Sequence, residues 1–214
     1  MIIHVYGITR PDQIAAFDAM MIDQVGLDFT TTDSALQQSI LPDFIDQYDD
    51  SSLRFVGIFR NQPIDEVLDI VEAYRLSAVR LAGNEPPEYC QKVQSRVELI
   101  KTLSMDGLQP DAVLHEISRY DEVCDYFYFE QEHRSADSSK QDVSSWSMLQ
   151  QISVEKPFYI GGNGLRAYDA PALHQFRHPD FYGICIPCDF GNQLSSGDTS
   201  LIFSFIKAIQ QVVN

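Results

Sequence analysis

The chain has 214 residues and a formal net charge of −16, from 31 acidic and 15 basic side chains. So large an acidic excess argues against nucleic-acid binding, which depends on clustered lysine and arginine. Hydrophobic residues make up 44%, as in soluble globular proteins; there is no membrane-length apolar run and no secretory signal at the N-terminus, so we expect a cytoplasmic protein without membrane contacts.

Eight short runs rich in apolar, β-branched and aromatic residues recur along the chain. They are residues 2–6, 24–29, 54–59, 78–81, 98–103, 125–130, 158–161 and 183–186. Their starts lie about 20 to 30 residues apart, the length of one strand plus one helix. Several of these runs are apolar without alternation, which is typical of strands covered on both faces.

Helical signals separate the predicted strands. Residues 63–71 and 87–97 each begin with proline and an early acid, and space their apolar residues three or four apart. Residues 36–48 and 110–120 are also predicted as helices. The last predicted helix, residues 200–213, places Leu201, Phe205, Ile209 and Val212 on one face.

Eight strand–helix units in a chain of this length predict a single (β/α)8 barrel domain over residues 1–214. An open doubly wound sheet is the alternative, but the Gly-x-Gly-x-x-Gly fingerprint of that fold does not follow the first predicted strand. The polar, serine-rich residues 131–145 follow the sixth strand. In a barrel they form a loop over the C-terminal face, where chemistry takes place.

Motifs at five of the predicted strands have a recognisable order and spacing. They are His4-Val5-Tyr6-Gly7, residues 56–63, Leu81-Ala82-Gly83-Asn84-Glu85, Leu99-Ile100-Lys101-Thr102, and residues 156–162. Together they resemble the phosphoribosylanthranilate isomerase family over nearly the whole chain. The resemblance implies a barrel of tryptophan biosynthesis that converts a small phosphorylated sugar-amine by an Amadori rearrangement, with no cofactor.

The resemblance also implies two catalytic groups, which this chain has replaced. A cysteine after strand one would be the general acid and an aspartate after strand six the base; Tyr6 and Glu130 stand there instead. A phenol is bulkier than a thiol and has an ordinary pKa near 10. Tyr6 is therefore either a plug or a substitute acid, and we favour the plug. Glu130 is either a base displaced by one methylene or a carboxylate that faces water.

Glycine-rich backbone after strands seven and eight is the phosphate clamp that the resemblance implies. Gly161, Gly162 and Gly164 are the candidate phosphate-binding residues, because their amides can cradle an anion. The same glycines can also serve only to permit a tight turn. At the end of strand eight Pro187 has no N–H to offer a phosphate.

Other parts of the implied site are altered as well. The arginine expected after strand two has no counterpart in residues 30–37, and the histidine of the fourth strand is Ala82. Arg166 and Lys140 are the remaining cations that we predict at the barrel mouth. These losses lie at the mouth, while the scaffold motifs persist.

Cys185 and Cys188 have the Cys-x-x-Cys spacing of redox and metal sites. New chemistry at this rim is one alternative, but a redox pair usually begins a helix, whereas this pair ends a predicted strand. A zinc site would need two more ligands, and only His4 and His133 are placed near the same face. We therefore predict two unconnected thiols and no metal site.

Two functional hypotheses follow. In the first, the chain is a divergent isomerase with Tyr6 as acid, Glu130 as base and Gly161–Gly162 holding the phosphate. In the second, the family reaction is lost or greatly reduced, and this pseudoenzyme is a non-catalytic barrel that binds a ligand or a protein partner such as an intact paralogue. The clustering of substitutions at the mouth favours the second.

Overall fold

The computed structural model describes residues 1–8, 10–30, 40–105, 107–131, 144–163, 165, 167–190 and 199–210. Eight parallel strands form a closed barrel in chain order, with the first strand paired to the last. The predicted (β/α)8 fold is therefore confirmed. The strands are β1 (Ile2–Ile8), β2 (Gln24–Asp28), β3 (Arg54–Phe59), β4 (Ala78–Leu81), β5 (Glu98–Ser104), β6 (Tyr126–Glu130), β7 (Phe158–Gly161) and β8 (Phe181–Pro187).

Helices lie between the strands on the outside of the barrel. Within the described ranges they are α1 (Pro11–Ala19), α2 (Pro42–Ile45), α3 (Ile64–Ala73), α4 (Pro87–Gln94), α5 (Pro110–Tyr120), α6 (Ser144–Leu149), α7 (Ala170–Gln175) and α8 (Ser200–Gln210). Short 3-10 turns cover Asp46–Tyr48, Asp121–Val123 and Ala167–Asp169. None of the described helices is both long enough and apolar enough to cross a bilayer.

The predicted elements agree closely with these bounds. Three strands and α5 match residue for residue, and each of the other strands differs by one or two residues at one or both ends. The helix predicted over residues 36–48 is wrong in its extent, because the described part of it is one helical turn and a 3-10 turn, Pro42–Ile45 and Asp46–Tyr48. Proline at position 42 explains the start, since proline is favoured in a first helical turn.

The apolar face predicted for α8 needs correction. Phe205 and Ile209 are buried as expected, but Leu201 is 38% exposed and Ile202 and Ile206 are buried instead. The buried stripe therefore follows positions 202, 205, 206 and 209, the spacing of a helix that packs on one side. Val212 lies outside the described residues.

Alternation along each strand divides the core into two clusters. Outward-facing residues such as Val5, Val79 and Phe127 pack against the helices in the larger cluster. Inward-facing residues such as Tyr6, Tyr128 and Tyr159 form a smaller cluster inside the barrel. Because side chains on a strand point alternately to either face, each strand serves both clusters. Tyr6, at the position of the implied general acid, belongs to the inner cluster.

Candidate functional site

Polar and aromatic side chains fill much of the barrel interior. His4, Gln24 and Arg80 are at most 5% exposed, and Tyr128 and Tyr159 are buried with them. The hydroxyl of Tyr159 donates to Oε1 of Gln24 at 3.0 Å, and Nδ1 of His4 lies 3.3 Å from the same oxygen. An interior of this kind differs from the bulky aliphatic layers usual in such barrels.

Arg80 lies between two tyrosine rings. Its guanidinium carbon is 4.6 Å from the ring centroid of Tyr6 and 4.7 Å from that of Tyr128. Desolvated cation–π contacts stabilise such a charge by about 2 kcal/mol each. However, Nε and Nη1 of Arg80 have no hydrogen-bond partner in the described parts of the chain. Each unpaired buried donor on a charged group costs about 1–3 kcal/mol or more, so this arrangement carries a free-energy cost.

Tyr6, at the position of the implied general acid, is packed rather than free to turn toward a ligand. It is 9% exposed, its ring lies on Arg80, and its hydroxyl donates to Oδ1 of Asn163 at 3.2 Å. Burial raises the pKa of Tyr6 well above its ordinary value, an effect that the Arg80 charge opposes and the Glu130 charge reinforces. A phenol with so high a pKa is a weak proton donor near neutral pH.

Glu130 ends β6 at the barrel mouth. It is 8% exposed, and the hydroxyl of Tyr128 lies 3.4 Å from its Oε1, in donor position. Its side chain lines a cavity of about 560 Å³ together with Ala82, Thr102 and Ser104. The carboxylate therefore lies within a cavity rather than in bulk water. Its role as a displaced base stays a prediction.

Gly161, the last residue of β7, and Gly162, which follows it, are required by close packing. Gly162 has φ +122°, and a Cβ there would lie 2.3 Å from the carbonyl oxygen of Gln131. A Cβ on Gly161 would lie 2.1 Å from the carbonyl oxygen of Cys185. Packing is thus a sufficient reason for both glycines, and their predicted phosphate contacts stay a prediction. Gly164, Arg166 and Lys140 lie outside the described residues.

Cys185 and Cys188 belong to different parts of the core. Cys185 is packed inside the barrel, whereas Cys188 packs against the outer cluster, and its sulfur accepts a hydrogen bond from Nε2 of Gln13 at 2.9 Å. Burial raises the pKa of Cys185 to about 12 and that of Cys188 to about 11. Both thiols are therefore protonated near neutral pH, and neither suits redox exchange.

Metal binding has little support in the same region. Within the described ranges, no group of three or more His, Cys, Asp or Glu side chains is placed to hold a metal ion. His133, one of the two histidines considered with the cysteines, lies outside these ranges. His4, the other, is buried inside the barrel and shares Oε1 of Gln24 with Tyr159.

The pKa of buried His4 is lowered within the pH range in which protein stability can be measured. Burial, assisted by the charge of Arg80, lowers the pKa of His4 from 6.5 to about 3. Above pH 6.5 it is neutral in the folded and the unfolded chain. Below that, the unfolded chain takes up a proton that the folded protein does not take up until about pH 3, so stability falls with pH in this window.

A His4→Gln variant tests this linkage. We expect wild type to lose about 3 kcal/mol more stability than His4→Gln between pH 7 and about pH 4.5. The reason is that pH 4.5 lies two pH units below the unfolded-state pKa of 6.5, and each unit costs about 1.4 kcal/mol while folded His4 stays neutral. Urea unfolding at a series of pH values measures the difference in slope. His115→Gln, at an exposed position on α5, is the matched control substitution. Parallel curves for wild type and His4→Gln would contradict the expectation.

A buried ion pair outside the barrel anchors the cavity wall. Nζ of Lys101 donates to Oε2 of Glu85 at 3.0 Å and to the carbonyl oxygen of Gly83 at 2.7 Å. Oε1 of Glu85 in turn accepts from the backbone N–H of Asn61 at 2.8 Å. Both side chains of the pair are at most 2% exposed. The network joins the loops after β3 and β4, and Gly83 lines the cavity.

The sequence did not reveal Arg80 as a residue of the site, and it did not reveal that Lys101 and Glu85 form an ion pair. Arg80 did leave a signal, since it is the one charged residue of a four-residue buried strand and small Ala78 and Ala82 flank it on the inward face. Lys101 and Glu85 both fall in motifs that were recognised. Their contact could not be read from the motifs, because they belong to different strand–loop units.

Comparison with known proteins identifies the family of this chain. Residues 4–180 match the family described as N-(5'phosphoribosyl)anthranilate (PRA) isomerase. The chain belongs to this family. Curated relatives named N-(5'-phosphoribosyl)anthranilate isomerase include one from Parabacteroides distasonis, 30% identical over 98% of this chain and 93% of its own, and one from Phocaeicola vulgatus, 28% identical over the full length of both.

Solved structures of PRA isomerases have the same fold. The enzyme from Thermotoga maritima superposes with a TM-score of 0.74 at 22% identity and covers 98% of both chains. The enzyme from Pyrococcus furiosus has a TM-score of 0.74 at 15% identity, over 99% of this chain and 100% of its own. The resemblance inferred from the sequence motifs is confirmed, and so is the barrel.

Proposed function

We propose that this PRA isomerase family member has lost the family's Amadori rearrangement, or retains it at a greatly reduced rate, and that its barrel binds a small ligand without converting it. The proposal treats residues 1–214 as one barrel domain and places the protein in the cytoplasm, in keeping with a family of tryptophan biosynthesis. The observation that carries it is the position of Tyr6, whose ring lies on Arg80 and whose hydroxyl is engaged by Asn163.

The rearrangement needs a proton donor to open the sugar ring and a base to remove the proton from C2. Loss of a positioned acid costs about 10²- to 10⁴-fold in rate. A base displaced by about 1 Å costs about another 10²-fold. With Tyr6 fixed in the interior and Glu130 longer than aspartate, we expect kcat/KM at least about 10⁴-fold below that of a relative with cysteine and aspartate.

One observation favours the divergent isomerase as the second candidate. The Glu130 carboxylate lies in the cavity, where a base would have to lie. New chemistry at Cys185 and Cys188 has less support, because the two thiols lie in different clusters and burial raises the pKa of each. A protein partner or an intact paralogue remains part of the proposal, without a surface assigned to it.

Turnover of N-(5'-phosphoribosyl)anthranilate, the compound in the relatives' printed names, tests the proposal. We expect no conversion above background at high enzyme concentration and no rescue of a cell that lacks the tryptophan enzyme. The relative from Parabacteroides distasonis is the positive control in both assays. Rescue by wild type that disappears in Glu130→Ala would overturn the proposal and establish the divergent isomerase.

A further inference from the structure

Tyr128 lies between a buried cation and a carboxylate. One face of its ring is covered by Arg80, whose guanidinium carbon is 4.7 Å from the ring centroid. The hydroxyl of Tyr128 is in donor position 3.4 Å from Oε1 of Glu130. Tyr128 and Glu130 are two residues apart on β6, so both side chains point into the barrel. The tyrosine therefore contacts both charged groups at once.

The charge of Arg80 needs an anion to balance it, because an uncompensated charge inside a protein is costly. Arg80 is 5% exposed, and none of the ion pairs in the described ranges includes it. The groups that act on its charge are Tyr128, Glu130, Cys185 and Tyr6. Burial raises the pKa of Cys185 to about 12 and also raises the pKa of both tyrosines, so these three are neutral near pH 7. Glu130 is therefore the anion of this set.

The hydroxyl of Tyr128 has two acceptors within reach, and the carboxylate is the stronger. Tyr128 is fully buried, so bulk water does not compete for its proton. Its hydroxyl is placed to hydrogen-bond Tyr6 as well as Glu130. Hydrogen bonds to an ionised acceptor are roughly twice as strong as those between neutral groups, which favours Glu130. The cation on the ring of Tyr128 strengthens this bond further, because it withdraws electron density from the phenol.

We propose that Tyr128 is a positioning residue that holds the Glu130 carboxylate in one orientation at the cavity, with Arg80 as the counter-charge beneath its ring. A glutamate side chain has more rotamers to lose than an aspartate, so it needs such a partner to be held in place. The hydrogen bond and the nearby cation both favour the charged form of the carboxylate. The inference goes beyond the proposed function, because it concerns the state of Glu130 whether or not the barrel converts its ligand.

Other charged and titratable groups around Glu130 do not depend on the Tyr128 hydroxyl. Tyr6 on β1, Arg80 on β4 and Cys185 on β8 act on it from inside the barrel, and the cavity wall adds Arg60, Lys101, Glu116 and Arg119. Lys101 is paired with Glu85, and Arg119 with Glu116. A substitution that removes only the Tyr128 hydroxyl leaves all of these groups in place.

The pH titration of Glu130, followed by its carbon-13 carboxyl resonance in the full chain, tests the proposal. The resonance is assigned by its absence in Glu130→Gln. Tyr128→Phe keeps a ring on Arg80 and removes the hydroxyl, so we expect the Glu130 midpoint to rise by about one pH unit. Tyr126→Phe, at the preceding inward-facing position of β6, is the matched control and should leave the midpoint unchanged. A midpoint that is unchanged in Tyr128→Phe, or shifted equally by both substitutions, would overturn the proposal.

A second readout uses the wild-type protein and does not depend on how well Tyr128→Phe folds. The Cζ resonance of Tyr128 should change at the pH at which the Glu130 carboxyl titrates, whereas that of Tyr126 should not. A Tyr128 resonance that stays constant through the Glu130 midpoint would overturn the proposal. Neither titration involves turnover. Isomerase activity would therefore refute the proposed function without affecting this result, and the two can fail separately.

Discussion

Replacement of Lys101 by methionine is expected to cost about 3–5 kcal/mol in the free energy of unfolding. The substitution leaves Glu85 buried with its charge uncompensated, and breaking a buried pair by removing one partner has this magnitude. The three acceptors around Nζ also lose their donor, including the carbonyl oxygens of Leu81 and Gly83. Urea unfolding followed by circular dichroism measures the loss.

Two comparisons make the result specific to the buried charge. Lys101→Met/Glu85→Gln should be more stable than Lys101→Met alone, because the double variant no longer buries an unpaired charge and its amide oxygen can still accept from the backbone N–H of Asn61. Arg54→Met removes one partner of an exposed pair with Glu98 and should cost less than about 1 kcal/mol. A loss in Lys101→Met as small as that in Arg54→Met would show that the pair does not hold the cavity wall.

Gly162→Ala is expected to cost about 3–5 kcal/mol. Alanine at φ +122° is strained by about 1–3 kcal/mol, and its Cβ would lie 2.3 Å from a backbone carbonyl that cannot move without disturbing the end of β6. Overpacking of this kind adds about 1–3 kcal/mol. Thermal and urea unfolding of the purified variant measure the effect.

Gly107→Ala is the matched control, because Gly107 has φ +69° but no atom within 4 Å of an added Cβ. It should cost only about 1 kcal/mol, the penalty of the backbone conformation. The pair of variants also addresses the phosphate hypothesis. If Gly162 is kept for phosphate alone, Gly162→Ala would unfold like wild type and lose only its stabilisation by added phosphate.

Local sequence patterns were sufficient for the scaffold. Strand lengths and helix starts depend on neighbours in sequence, and this is why β3, β4 and β7 were predicted with the observed bounds. The same patterns did not predict which apolar residues of a helix are buried, because tertiary packing decides that. On α8, Leu201 and Ile202 are equally apolar, and only the position of the helix on the barrel buries Ile202 and exposes Leu201.

In the candidate site, too, the sequence identified residues but not the contacts that they make. Tyr6 and Glu130 could be named from the sequence because each replaces a motif residue, and Tyr6 was predicted to be a plug from its size. What it packs against could not be predicted. The two rings around Arg80 come from β1 and β6, which are not neighbours in the sheet, so their meeting depends on the curvature of the closed barrel.

The sequence by itself determined the family and the eight-strand barrel, because these are carried by short motifs and by local periodicity. It also predicted Tyr6 and Glu130 as replacements at the catalytic positions that the resemblance implies. Only the tertiary structure decided that Arg80 lies between two tyrosine rings, that Lys101 pairs with Glu85, and that Cys185 and Cys188 belong to different clusters. The physical reason is barrel closure, which brings inward-facing side chains from distant strands onto one axis and sends their sequence neighbours to the outer core.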